Sequence, residues 1–73
     1  MKKTLDTKGQ VCPFPLEEAI TAVNEINSGD ELEIIFDCTQ ATESIPQWAV
    51  TEGLEITLFE QIDDAIWSIT LQK

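Results

Sequence analysis

Histidine and tyrosine are both absent from these 73 residues. Without an imidazole, cysteine is the only strong nucleophile the chain offers near neutral pH. Bases are scarce as well: four lysines or arginines stand against fourteen acids, for a net charge of −10. A nucleic-acid binder needs cations to displace counterions from phosphate, so this composition argues against a nucleic-acid partner. Anionic lipid surfaces are disfavoured for the same reason. The charge suits solubility and steering toward a basic rim on another protein, and a plain solvated acidic surface is an equal reading. No apolar run approaches the ~20 residues needed to cross a bilayer. The start, Met1-Lys2-Lys3 and then Leu5-Asp6-Thr7-Lys8, has no signal-peptide core, so the expectation is cytoplasmic, with no direct membrane insertion.

Two cysteines without histidine do not make a tetrahedral N/S zinc site, so no metal is expected. In a cytoplasmic chain, free thiols are expected in preference to a structural bridge. The length allows one small domain, residues 1–73, burying roughly 60% of the unfolded surface and leaving little room for a deep site.

What is present has clear periodicity. Residues 3–7 read as a short strand burying Leu5, with Gly9 in the turn that follows. From Leu16, the residues Ala19, Ile20, Val23 and Ile26 complete one apolar helix face, and Asn27-Ser28-Gly29-Asp30 ends it. Residues 31–37 alternate, with Leu32, Ile34 and Phe36 on one side. A second helix is expected over 42–52, with Ser44 as N-cap, Pro46 in its first turn, Ile45, Trp48 and Ala49 inward and Gly53 as C-cap. Leu54, Ile56 and Leu58 then alternate, as do Ala65, Trp67, Ile69 and Leu71, with an Asp63-Asp64 hairpin turn between them. The order is β-α-β-α-β-β. Two helices are too few to cover both faces of so short a sheet, which implies an α/β two-layer sandwich with both helices on one face.

The stretch Cys12-Pro13-Phe14-Pro15 carries the chemistry. Proline fixes φ near the helical value and lacks an N–H that a first turn leaves unpaired, so Pro13 and Pro15 mark a helix start. A cysteine at that point sits among unpaired backbone donors at the positive end of a helix, which favours thiolate over thiol. The helix end is expected to lower a thiol pKa of ~8.5 by about one unit, with Lys8 adding a little and Glu17, Glu18 and the net charge opposing it. A small buried hydrophobe is the competing role for Cys12. Cys38 follows the second strand and could face Cys12 across adjacent loops, as a second thiol or as a structural cysteine.

Leu5-Asp6, Gly9 and Cys12-Pro13-Phe14-Pro15 together resemble the signature of the TusA (SirA-like) sulfur-carrier family, L-D, G and C-P-x-P at the same spacing. The resemblance continues through Ala19, Gly29-Asp30, Leu32, Asp37, Thr42, Ile45-Pro46, Trp48, Gly53 and Trp67-Ser68-Ile69. In Cys12–Leu16 and Asp37–Thr42 the chain is most similar to the YeeD branch, which is associated with thiosulfate use. The resemblance implies a four-stranded mixed sheet with two helices on one face. It further implies a sulfurtransferase in which Cys12 carries sulfane sulfur as a persulfide, supported by Lys8, Gly9, Pro13 and Pro15, with no cofactor. The implied partners are sulfur-donor and sulfur-acceptor proteins, such as a cysteine desulfurase or a thiosulfate-uptake membrane protein. Two positions depart from the pattern: Cys38 where many members are acidic, and Leu54 where many have histidine. A non-enzymatic interaction module and a Cys12/Cys38 dithiol switch are the alternatives.

Overall fold

A computed structural model describes residues 2–11 and 14–73 of the chain. The elements run β1 (Lys2–Asp6), α1 (Phe14–Glu25), β2 (Glu31–Phe36), α2 (Ala41–Thr51), β3 (Glu55–Asp63) and β4 (Ile66–Gln72). The strands form one mixed sheet in the order β1-β2-β4-β3, with β1 parallel to β2 and β4 antiparallel to both β2 and β3. The fold class and element order are as expected.

Alternation along β2 places Leu32, Ile34 and Phe36 on one face, where they are fully buried with Ile69 and Leu71 of β4. Ala19, Ala22 and Val23 of α1 and Ala41, Ile45 and Ala49 of α2 complete the same core, so both helices cover one face. The other face is polar. There Ser68 Oγ donates to Glu33 Oε2 at 2.8 Å, and Lys2 pairs with the other carboxylate oxygen at 3.6 Å.

The helix ends follow local chemistry. Gly53 has φ 76°, its N–H donates to Val50 O, and the Leu54 N–H reaches back to Ala49 O, which is a Schellman closure. Neither helix has a basic residue in its last turn. For α1, Lys73 supplies the missing cation from the far end of the chain, donating from Nζ to Val23 O and Ile26 O, each at 2.9 Å.

Four expectations about side chains and caps need correction. Ser44 is not the N-cap: α2 begins at Ala41, with Gln40 at the cap and Pro46 inside the helix. The first turn is tightened, with Ala41, Thr42 and Glu43 bonding three residues back, which brings the helix in ahead of the proline. Ile20 is 38% exposed, while Ala22 takes its place in the core. Small residues at 19 and 22 let α1 approach the sheet closely and leave Ile20 at the seam with α2, beside Trp48. Leu58 does not continue the inward face begun by Ile56. A register shift at residue 57 sets Leu58 opposite Thr70 on the polar face and turns Phe59 inward opposite Ile69. A second shift at residue 62 moves the hairpin turn to Asp64 and Ala65, so Ala65 is exposed rather than inward.

Candidate functional site

The C-terminal ends of β1 and β2 lie side by side, and two loops leave from there. Their positions are fixed by a small set of hydrogen bonds. Thr7 is fully buried and donates twice to Ile35 O, from its N–H and from Oγ1, both at 2.8 Å. These two hydrogen bonds extend the β1–β2 pairing one residue past the strand. Lys8 N–H then donates to Asp6 Oδ1 at 2.9 Å, and Gly9 N–H donates to Asp37 Oδ2 at 2.9 Å. Gly9 has φ 86°, a conformation that penalises any side chain, although a Cβ there would meet nothing within 4 Å. Glycine is needed at this turn for its backbone angle, not for space. Gln10 N–H returns to Thr7 O at 3.2 Å, and the Phe14 N–H donates to Val11 O at 3.0 Å as the chain enters α1.

The second loop begins at Asp37. Cys38 is half-buried, packs against the core, and its carbonyl accepts the Ala41 N–H that opens α2. Thr39 O accepts both the N–H and the hydroxyl of Thr42. Gly9, Gln10, Val11, Asp37, Cys38, Thr39 and Gln40 line an open depression of about 590 Å³ between the loops. The amide oxygen of Gln10, Oε1, is buried and has no hydrogen-bond partner among the described residues. Among the described residues, no three His, Cys, Asp or Glu side chains gather as a metal site. No helix there is long and apolar enough to cross a membrane.

The expected site residues fall as follows. Cys12 and Pro13 lie outside the described residues. Gly9 sits in the tight turn, Pro15 is buried in the first turn of α1, and Cys38 joins Gly9 at the depression. Lys8 is 45% exposed and its ammonium lies 3.7 Å from Asp6 Oδ2. Cys38 is disulfide-bonded, which corrects the expectation of free thiols. The redox compartment favoured free thiols, but the fold sets Cys38 beside the β1–α1 loop, as the dithiol alternative required.

Sequence reasoning missed two residues that hold this region. Asp37 links the loops through Gly9, and Thr7 locks the end of β1. Asp37 belonged to the family pattern without a role, and a carboxylate directly after a buried strand was the available signal.

The comparisons with known proteins bear on this geometry. A model of the family described as Sulfurtransferase TusA matches residues 3–73. The chain belongs to the TusA sulfurtransferase family. It is 66% identical over 71 residues to a candidate sulfur carrier protein, TsuB, of Escherichia coli K12, covering 97% of this chain and 95% of that one. A candidate sulfur carrier of Archaeoglobus fulgidus is 34% identical over 71 residues, covering 97% and 81%. Among solved structures, a SirA-like protein from Desulfitobacterium hafniense superposes with a TM-score of 0.85 at 25% identity, over 99% of this chain and 96% of that one. The TusA-family fold and the loop frame described above thus coincide in one chain.

Proposed function

We propose that this chain is a cytoplasmic sulfur carrier that loads sulfane sulfur on Cys12 and relays it to a partner protein. The observation that carries the reading is the pinned loop of residues 7–11, which delivers the chain to the Cys12-Pro13-Phe14-Pro15 motif of a TusA-family member. With thiosulfate as donor, the Cys12 thiolate forms a new S–S bond to the outer sulfur. The donor S–S bond breaks, and sulfite leaves with the electron pair. With a persulfidated partner, the leaving group is that partner's thiolate. An acceptor thiolate then attacks the outer sulfur of the persulfide, and Cys12 departs as thiolate. Neither step consumes an oxidant. The thiosulfate branch rests on the resemblance of Cys12–Leu16 and Asp37–Thr42 to the YeeD branch.

The disulfide at Cys38 favours a second reading, a dithiol switch in which oxidation blocks loading. Intact-mass measurement after reduction and incubation with thiosulfate or a persulfidated desulfurase separates the two. Wild type and Cys38→Ser gain one sulfur under the carrier reading, while Cys12→Ser gains none. Loading that survives in Cys12→Ser and vanishes in Cys38→Ser reverses the assignment. Loss in both variants supports a coupled dithiol. Full function of both variants in cells leaves the interaction module.

A further inference from the structure

β3 is the longest strand of the sheet and one of its two edges. It is exposed along nearly its whole length, with Ile56 alone half-buried. Shifts at residues 57 and 62 interrupt the ladder, so the regular edge is residues 58–61. Over that run, backbone N–H and C=O groups on the side away from β4 face no strand among the described residues. Such an edge is a template for another strand. The side chains around it are apolar on both faces: Leu58 is 46% exposed, Phe59 39% and Ile62 48%.

Charge decides what would pair there. Glu55, Glu60 and Asp63 are the ionised side chains of β3. Residues 9–72 contain neither lysine nor arginine. The ion pairs among the described residues use Lys2, Lys3 and Lys8, none of them near this edge. A second copy of the chain would bring Glu55, Glu60 and Asp63 of one edge close to the same acids of the other with no cation between them, and like charges across a ladder destabilise it. A strand that alternates apolar and cationic residues would place its apolar side chains beside Phe59 on the inner face and its cations beside Glu60 and Asp63 on the outer one.

We infer that the edge of β3 at residues 58–61 is a docking site for an extended segment of a partner protein that alternates apolar residues with lysine or arginine. The segment adds as a fifth strand, with main-chain bonds giving attachment and carboxylates giving selectivity. Its place in the fold is suited to delivery. Trp67 of β4 is opposite Phe36, the last residue of β2, and Asp37 and Cys38 follow directly. A strand docked on β3 lies three ladder spacings, roughly 14 Å, from β2, at the pole where the open depression lies. The four regular residues make the contact short, which suits a partner that must leave. The inference stands without the sulfur-transfer reading, because binding is measured with no sulfur donor present.

The probe is a short capped peptide of alternating lysine and valine, added to the full chain and followed by amide NMR shifts and hydrogen exchange. Expected are shifts centred on β3 and slowed exchange within residues 58–61. N-methylation of the peptide at alternate residues removes its donors and abolishes that protection. Glu60→Lys weakens binding about tenfold, the equivalent of ~1.4 kcal/mol, while Lys3→Gln on the opposite edge leaves it unchanged. Equal binding by the N-methylated peptide, or protection centred elsewhere, overturns the inference. Protection of 58–61 that grows with protein concentration alone overturns the choice of partner in favour of a second copy.

Discussion

The two edges of the sheet solve the same problem by different means. β1 is five residues long and begins with Lys2 and Lys3. Both are engaged, Lys2 with Glu33 on the polar face and Lys3 with Glu25 of α1 at 3.2 Å. A short edge bearing cations resists pairing with another chain, because an incoming strand must displace or desolvate them. β3 is nine residues long, carries no cation, and is interrupted by two register shifts. Bulges twist an edge without closing it, and the carboxylates exclude only partners of like charge. One edge is therefore closed to all strands and the other is selective. The sheet holds these edges in different ways too. β1 reaches the core through Leu5, which is partly buried, whereas β3 is tied in by an aromatic group. Phe36 stacks on Trp67 at 6.0 Å between ring centroids and meets Phe59 edge-on at 6.4 Å.

The largest expected effect breaks that aromatic tie. Phe36 is fully buried, so Phe36→Ala removes the ring that both Phe59 and Trp67 contact and leaves a cavity. A loss of ~3–5 kcal/mol is expected, against ~1–2 kcal/mol for Leu5→Ala on the partly buried β1 side. Urea unfolding of the two variants reads the difference. Equal losses would mean that the two edges are anchored alike.

A smaller effect separates the loop frame from both edges. Asp37 is bound to Gly9 through a single charge-assisted hydrogen bond. Asp37→Ala removes the acceptor and is expected to cost about 1 kcal/mol, the low end for a charged partner because the bond is exposed. Asp37→Asn keeps an acceptor oxygen and recovers most of that loss. Amide exchange at Gly9 is the specific readout: faster in the alanine variant, close to wild type in the asparagine variant, with β3 unchanged in both. Exchange at Gly9 that ignores both substitutions would remove Asp37 from the frame.

How far the sequence carried these conclusions differs by element. The alternation of Leu32, Ile34 and Phe36 was legible because β2 is central and one of its faces is fully buried. Burial of one face makes period two compulsory. β3 was misread beyond Ile56 because an edge strand with two bulges obeys no single period, and nothing local in Thr57 or Ile62 announces a shift. Pro46 misled for a related reason. A proline is a reliable first-turn residue in isolation, but here the preceding turn is tight enough to begin the helix five residues earlier. At the candidate site, Gly9 was legible because a positive φ selects glycine. Asp37 and Thr7 act through bonds across 28 residues, to Gly9 and Ile35, a pairing that only the folded chain displays.

The smallest expected effect concerns acid and the β1 side alone. Asp30 lies in the turn between α1 and β2, and its carboxylate accepts the Asn27 N–H at 3.1 Å. That hydrogen bond is the main cause holding its pKa below the ordinary aspartate value of 3.8, with the Lys73 charge adding in the same direction. The folded value is depressed, so the ionised form is favoured in the folded state. The resulting stability is present above pH ~3.9 and is lost as pH falls through the folded value. Asp30 is only half-buried and its hydrogen bond is open to solvent screening, so the contribution is small. Asp30→Asn removes the titration while keeping an acceptor for Asn27. The variant should match wild type below the folded value and fall slightly behind it from pH ~4 upward, where the wild-type carboxylate is ionised. Urea midpoints measured at intervals from pH 2.5 to 7, at low and high salt, give the comparison. If the two curves stay parallel across that acid range, the Asn27 bond does not hold the carboxylate in its charged form in solution.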